Sequence, residues 1–439
     1  MQGQPGRRRR RLLVAVAALA VALPAGCDRG SPDPPRGSTT SSTALATPTS
    51  DTADREAALA DLLDRRAAAV RDRDPAAFRA TLDDPGSGFG LRQLAQFDAL
   101  ARLPLGAFSY GTPEPAPELG PDRVAELGPD AWVSRVRGTW SLAGFDTGQR
   151  DFESYFSVVR RDGQWRLADD TDGGTQPQPW DLPRFTVVRD GPVLVMGSGP
   201  ASRLRPYVAL GERAVADVRR VWTATWSGRL VLVVPATAAQ MAEQVGQDAS
   251  SVAQVAAITD GPFALDGRAG ADRVVVNPTA FADLEARGRQ VVVSHEATHV
   301  AIRATTSTPV PLWLSEGMAD YVGYRGVGVP RTVVAEALLD QVRAGKGPRA
   351  LPGPGDFDPS RSTIAPSYNA AWLAVHRIAD RFGTAKLVRF YRAAASPTDG
   401  GAATDPEEAT AAAFGSVLGT SQEAFTRDWL ASLRRLAAA

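Results

Sequence analysis

The sequence predicts an α+β protein with two folded domains, at residues 54–180 and 181–439. A chain of 439 residues is longer than one ordinary hydrophobic core requires. In the first part, helical patterns precede strand patterns. In the second part, short apolar strands and amphipathic helices lead into helices alone. This order predicts a small mixed sheet followed by a helical half.

The composition is that of a globular protein without an extended positive surface. Hydrophobic residues make up 44% and charged residues 22%, and 49 basic residues balance 49 acidic ones. Proteins that bind phosphate backbones usually carry a basic patch or stripe, so we expect no nucleic-acid partner. We expect the protein to be a monomer.

Residues 1–26 have the organisation of an export signal. Five arginines at positions 7–11 precede an apolar run at 12–23, which rises only about 18 Å as a helix. Cys27 follows and is the only cysteine. LPAGC resembles a bacterial lipobox, although Pro24 stands where an aliphatic residue is usual. The resemblance implies a lipid anchor at Cys27 and a place at the outer face of the cell membrane; plain cleavage and secretion is the alternative.

Residues 27–53 are rich in Pro, Ser, Thr and Gly and predict a flexible tether. The tether would hold the folded part clear of the membrane. With a single cysteine, the chain cannot form an intramolecular disulfide. Stability must therefore come from core burial or from a bound metal.

The first domain should begin with helices near Arg55 and end with antiparallel strands. Leu59, Leu62, Leu63 and Val70 recur at helical spacing. Further helix and then Pro- and Gly-rich connections are expected over 85–129. The strands are expected at 131–142, 152–160 and 164–167.

This order, ending in RDGQWRLADD, resembles the NTF2-like cone fold over about 130 residues. Trp132, Trp140 and Trp165 are expected in the core of this domain rather than on a ligand platform.

The sequence of the second domain predicts a small sheet before a helical half. The expected strands lie at 185–191, 192–197, 229–234, from 258 and at 272–277, with helices at 204–222 and 237–245. Residues 295–299 then read HEATH, an H-E-x-x-H motif, and contain two of the three histidines of the chain.

The spacing of this motif suits a metal site. Residues i and i+4 share one face of a helix, so His295 and His299 can reach the same ion. Glu296 is displaced by about 100° around the helix, where it can address a water molecule instead. The alternative is two ordinary histidines on a buried helix.

A third ligand is expected downstream, in PLWLSEGMADYVGY. Zinc prefers four ligands, and a catalytic site keeps one position for water, so one more protein group is needed. Glu316 follows His299 after sixteen intervening residues. Gly317 would permit close approach of the two ligand helices. Asp320, one turn after Glu316, could accept the free N–H of a ligating imidazole. The alternative for both acidic residues is a solvated helix face.

HEATH followed by WLSEGMADY is similar to the gluzincin peptidases of the thermolysin-like and aminopeptidase-like clan, particularly the compact MA-like family. The similarity covers about residues 185–435, with a spacing to Glu316 slightly shorter than in the best-known members. The resemblance implies one zinc ion on His295, His299 and Glu316. It also implies Glu296 as the general base and Asp320 as the carboxylate behind a ligand.

The family also uses an oxyanion donor, often a tyrosine from a downstream helix. Tyr368 is the candidate, with Tyr321 and Tyr324 as rivals and a capping or packing role as the alternative. His376, the third histidine, is expected to be structural or to lie at the surface. By analogy, the strand at 272–277 should form the edge of the cleft and pair with an extended peptide.

The sequence therefore predicts zinc-dependent hydrolysis of peptide bonds outside the cytoplasm, with water activated by zinc and Glu296. One alternative is a non-catalytic lipoprotein that binds a ligand or partner through its NTF2-like domain and uses zinc structurally. In another, the first domain is the working part and the metal domain only processes it in cis.

Overall fold

A computed structural model describes residues 50–358, 364–396 and 405–439 of the chain. The predicted signal peptide at 1–26, the lipidation site Cys27 and residues 27–49 of the predicted tether lie outside the described residues. Every helix in the described part is too short or too polar to cross a bilayer. The chain divides into two units after Asp181. Both units combine helices with strands, so the predicted α+β class is confirmed.

The first unit consists of helices followed by a sheet, with one strand between the helices. Its helices and strands are α1 (Ser50–Asp72), α2 (Pro75–Arg79), α3 (Gly88–Ala101), β1 (Leu105–Pro115), α4 (Pro121–Leu127), β2 (Trp132–Leu142), β3 (Arg150–Arg161) and β4 (Gln164–Asp169). The strands form one antiparallel sheet in the order β1-β2-β3-β4. Helix α1 begins at Ser50, so residues 50–53 of the predicted tether are helical.

Helix α1 packs against β1 and β4 and buries its apolar stripe in the core. The four predicted core residues on this helix, Leu59, Leu62, Leu63 and Val70, are each at most 2% exposed. Trp140 is fully buried. Trp132 and Trp165 are only partly buried and pack edge to face, with ring centroids 6.4 Å apart.

Strand β1 is absent from the sequence prediction, which placed only helix and connections there. Gly106, Gly111 and Pro113 interrupt the alternation by which a strand is identified. β1 lies at the edge of the sheet, and its register against β2 shifts twice, before Ala107 and before Pro113. An irregular edge strand tolerates glycine and proline where a central strand does not.

The first unit also buries one arginine. Arg66 on α1 donates from Nη1 to Thr81 Oγ1 at 2.9 Å, from Nη2 to Gln93 Oε1 and from Nε to the Tyr110 hydroxyl at 3.2 Å. Its guanidinium carbon lies 3.8 Å from the ring centroid of Phe78. Burial lowers the pKa of Arg66, and neutral acceptors and an aromatic face hold the charge in place.

The second unit begins at Leu182 and has a five-stranded sheet and a large helical part. Its strands and the helices among them are β5 (Phe185–Asp190), β6 (Val193–Ser198), α5 (Ala201–Val221), β7 (Leu230–Val234), α6 (Ala238–Gln244), β8 (Ala257–Asp260), β9 (Arg273–Val276) and α7 (Pro278–Ala282). The helical part contains α8 (Ala286–Arg303), α9 (Leu312–Gly323), α10 (Arg331–Val334), α11 (Glu336–Arg343), α12 (Ala365–Phe382), α13 (Thr384–Ala394), α14 (Pro406–Ala413) and α15 (Gln422–Ala438).

The sheet has the order β5-β6-β7-β9-β8, with β6, β7 and β9 parallel and the two outer strands antiparallel. The expectation that the strand at 272–277 forms the cleft edge is therefore wrong. In β9, Val274 lies opposite both Leu232 of β7 and Thr259 of β8. All four residues of β9 are buried, as an interior strand requires, whereas Thr259 and Asp260 of β8 are partly exposed.

Helix α8 packs against the helices α5 and α9 and against the strands β8 and β9. Gly323, at the end of α9, allows the close approach of α9 to α8. A Cβ atom at Gly323 would lie 3.0 Å from the Val291 carbonyl oxygen and 3.6 Å from His295 Cβ. Gly317, which the sequence suggested for this role, instead faces α12. A Cβ atom there would lie 2.5 Å from the Ala371 carbonyl oxygen.

Replacing Gly317 by alanine should destabilise the second unit by about 2 kcal/mol, because the added methyl group meets backbone of α12 that cannot move alone. The control is Gly415→Ala in the helical segment Phe414–Leu418, where a Cβ atom meets nothing within 4 Å. That change should be neutral or slightly stabilising. Thermal unfolding measures both variants, and equal midpoints would contradict the packing account.

Candidate metal centre

The two motif histidines lie one turn apart on α8, within a stretch at 291–302 that is buried on every side. The i and i+4 positions put both imidazoles on one face of the helix. Their Nε2 atoms are 3.1 Å apart, and each side chain is 6% exposed. Local helical geometry therefore brings two ring nitrogens to the same point inside the protein.

Helix α9 brings Glu316 to this point from the other side. Its Oε2 atom lies 3.3 Å from Nε2 of His295, and its Oε1 atom lies 3.6 Å from Nε2 of His299. One ligand atom from each of the three residues lies within 4.8 Å of the others. Across the described part of the chain, this is the one such group of His, Cys, Asp or Glu side chains. The three residues could hold a metal ion.

The Glu316 carboxylate fits a cation better than it fits an ordinary buried acid. Both of its oxygens are buried, and neither accepts a hydrogen bond. A buried polar group without a partner costs on the order of 1–3 kcal/mol, and a charged group costs more. A cation between the carboxylate and the two imidazoles would supply the missing partner.

The acidic residues and the histidines of the site shift each other's pKa values. Burial alone would raise the pKa of Glu316, but its interactions with His299 and His295 outweigh burial and lower this pKa to about 2. Burial would lower the pKa of His295, but Asp320 and Glu316 outweigh it and hold this pKa well above the usual 6.5. The metal-free site therefore keeps a proton on His295 at neutral pH.

Asp320 lies one turn after Glu316 on α9 and faces the rear of His295. Its Oδ1 atom is 2.8 Å from His295 Nδ1. Burial raises the pKa of Asp320, against the opposing effect of His295. When Nδ1–H donates to this carboxylate, Nε2 presents its lone pair to the metal position. This is the relationship that the sequence spacing suggested for Asp320.

Glu296 is fully buried beside the histidines, and its two oxygens have different surroundings. Oε2 accepts a hydrogen bond of 2.7 Å from the hydroxyl of Thr259, while Oε1 is buried without a partner. Burial is the main cause that raises the pKa of Glu296. Thr259 could not be recognised from the sequence, because a contact between residues 37 apart leaves no local pattern.

The tyrosine assignments depend on different kinds of evidence. Tyr368 is 1% exposed near the start of α12, and its ring meets Phe357 edge to face at 5.2 Å. Its role as oxyanion donor rests on the resemblance and stays a prediction. Of the rivals, Tyr321 forms a hydrogen bond between its hydroxyl and that of Thr384, and the same hydroxyl accepts a hydrogen bond from Arg325. Burial and then the charge of Asp320 raise the pKa of Tyr324.

His376 lies outside the cluster of ligand atoms. Its ring lies 4.8 Å from Tyr321 and 4.9 Å from Trp372, edge to face in both cases. Burial, followed by the charge of Arg331, lowers its pKa to about 4, so the ring is neutral at physiological pH. These contacts agree with the structural role expected for His376.

Comparison with known proteins assigns the chain to no family. No protein-family model matches it, and no curated protein matches it. The interpretation of the site therefore depends on the motif, the burial and the distances between the ligand atoms.

Metal binding should release protons and strengthen as the pH rises. The raised pKa of His295 means that its proton is bound at neutral pH and must leave Nε2 when a metal binds. Between about pH 6 and pH 8, the logarithm of the affinity should rise by up to about one per pH unit. Calorimetric titration in two buffers of different ionisation enthalpy counts the protons, and an affinity independent of pH would contradict this electrostatic account.

Asp320→Asn should weaken metal binding by about 10- to 100-fold, because the amide is a poorer acceptor for His295 Nδ1–H. The matched control is Asp340→Asn on α11, an acidic side chain that is 67% exposed and pairs with Arg343. Competition with a chromogenic chelator measures both affinities. Equal affinities for Asp320→Asn and the wild-type protein would show that this contact does not support the ligand.

Proposed function

We propose that this protein is a zinc-dependent peptidase of the gluzincin type. The convergence of three buried ligand atoms from α8 and α9, beside a buried glutamate of the same motif, carries this proposal. In it, His295, His299 and Glu316 hold one zinc ion and Glu296 is the general base.

The distances within the site support zinc. Zinc binds nitrogen and oxygen ligands at about 2.0–2.2 Å, so tetrahedral ligands lie about 3.3–3.6 Å apart. The two Nε2 atoms lie 3.1 Å apart, and they lie 3.3 and 3.6 Å from the two oxygens of Glu316. Two imidazoles and one carboxylate also match the donor set of catalytic zinc sites, which keep the fourth position for water or substrate.

The chemistry follows from the groups around this position. A bound zinc ion would polarise a carbonyl group and lower the pKa of nearby water. Glu296 would take a proton from the attacking water through Oε1, the oxygen that accepts no hydrogen bond. As water oxygen joins the carbonyl carbon and the carbon–nitrogen bond breaks, Glu296 would pass the proton to the departing amine. Tyr368 is proposed to donate to the developing oxyanion.

The topology supports an extended substrate beside this site. The proposed second domain is zincin-type, with its mixed sheet next to the helix of the motif. β8 is an edge strand, and its Thr259 contacts Glu296. We propose that an extended peptide pairs with β8, the outer strand, instead of with the strand at 272–277.

The remaining assignments come from the sequence. The first unit is proposed to be NTF2-like, on its order of helices and antiparallel strands. The export signal and Cys27 suggest a lipid-anchored protein at the outer face of the cell membrane. If Cys27 is not lipidated, the protein would be secreted instead.

The geometry disfavours the non-catalytic alternative, in which zinc is structural and the first domain binds a ligand or partner. Structural zinc sites are usually closed by four protein ligands, whereas the described cluster contains three. A structural site also has no use for a buried glutamate with one unbonded oxygen, and Glu296 Oε1 is such an atom. The second alternative, in which the metal domain cleaves the first domain of the same chain, would require the same catalytic centre.

Glu296→Gln should reduce casein cleavage by about 10²- to 10⁴-fold, because the amide cannot accept the proton from water. Bound zinc should stay at one per chain, since Glu296 is not among the three grouped ligands. The control is Glu243→Gln, at an exposed position on α6. Equal cleavage by the wild-type protein and Glu296→Gln, or none by the wild-type protein across a peptide library, would contradict the proposed function.

A further inference from the structure

The hydroxyl of Thr259 distinguishes the two oxygens of the Glu296 carboxylate. Thr259 Oγ1 lies 2.7 Å from Oε2 and 3.1 Å from the backbone carbonyl oxygen of the same residue. A threonine hydroxyl has one proton, so it can fully serve only one of these acceptors. The shorter contact, to a carboxylate oxygen, is the stronger of the two.

The sheet holds Thr259 in a defined place. It lies in β8 opposite Val274 of β9, and β9 is in turn paired with β7. Helix α8, which carries Glu296, packs against both β8 and β9. The donor and the carboxylate therefore belong to two elements in contact, and neither lies on a free loop.

A glutamate that takes a proton from water must present one carboxylate oxygen in a defined orientation. The terminal torsion of a glutamate side chain is broad, so burial alone does not select one oxygen. Glu296 is 0% exposed and its Oε1 atom has no hydrogen-bond partner. One donor on Oε2 is enough to define which oxygen stays available.

We propose that Thr259 is a positioning residue for the general base. Its hydroxyl anchors Oε2 of Glu296 and leaves Oε1 as the oxygen that takes the proton from water. This inference rests on the proposed peptidase function and adds a specific role for the edge strand β8. Thr259 acts through Glu296 and is not itself a group that exchanges protons with the substrate.

Three variants separate positioning from packing. Thr259→Val keeps the shape of the side chain but removes the donor, so kcat for casein or peptide cleavage should fall by about 10- to 100-fold. KM and the zinc content should not change, because Thr259 is not one of the three grouped ligands and β8 would pair with a peptide through its backbone, which the substitution leaves in place. Thr259→Ser restores the hydroxyl and should recover most of the lost kcat. Thr259→Ala gives a second variant without the donor, in case Thr259→Val does not fold.

The control is Thr306→Val, which removes a hydroxyl that donates to the Ile302 carbonyl oxygen at the end of α8. Its kcat should equal that of the wild-type protein. Equal kcat for the wild-type protein and Thr259→Val would overturn the inference, as would equal losses in Thr259→Ser and Thr259→Ala. If the wild-type protein itself cleaves nothing, or if Glu296→Gln matches it, the proposed function fails and this inference fails with it.

Discussion

The candidate metal centre depends on a buried carboxylate, that of Glu316. Its two oxygens accept no hydrogen bond within the described part of the chain, and the two imidazoles lie 3.3 and 3.6 Å from them. Such an arrangement is costly in a metal-free protein and favourable once a cation supplies the missing partner. With separations of 3.1–3.6 Å, the three residues could hold one metal ion.

Each neighbouring element orients one group at this centre. Helix α9 provides Glu316 and, one turn later, the carboxylate that meets the rear nitrogen of His295. Its approach to α8 depends on Gly323, where a side chain would crowd Val291. The edge strand β8 contributes Thr259, whose hydroxyl donates a hydrogen bond to Oε2 of Glu296. The surroundings shift the pKa values of the two acids in opposite directions. Burial raises the pKa of Glu296, whereas at Glu316 the two imidazoles outweigh burial and lower the pKa.

Local periodicity predicted those parts of this arrangement that lie within one helix. His295 and His299, and Glu316 and Asp320, are pairs at i and i+4, and helical geometry places each pair on one face. Contacts between elements were harder to predict. The sequence analysis assigned the close approach of α8 and α9 to Gly317, although it belongs to Gly323. The expectation that the 272–277 strand forms the cleft edge came from the resemblance and is wrong. The sequence could not correct it, since strand order across long connections leaves no periodic signal.

X-ray absorption at the zinc edge of the purified protein tests the central claim most directly. The spectrum should show one zinc with about four nitrogen or oxygen neighbours at ~2.0–2.1 Å. It should also show the outer-shell scattering of two imidazoles, from His295 and His299. A site without imidazole scattering, or one with about six oxygen neighbours and no nitrogen, would contradict the account.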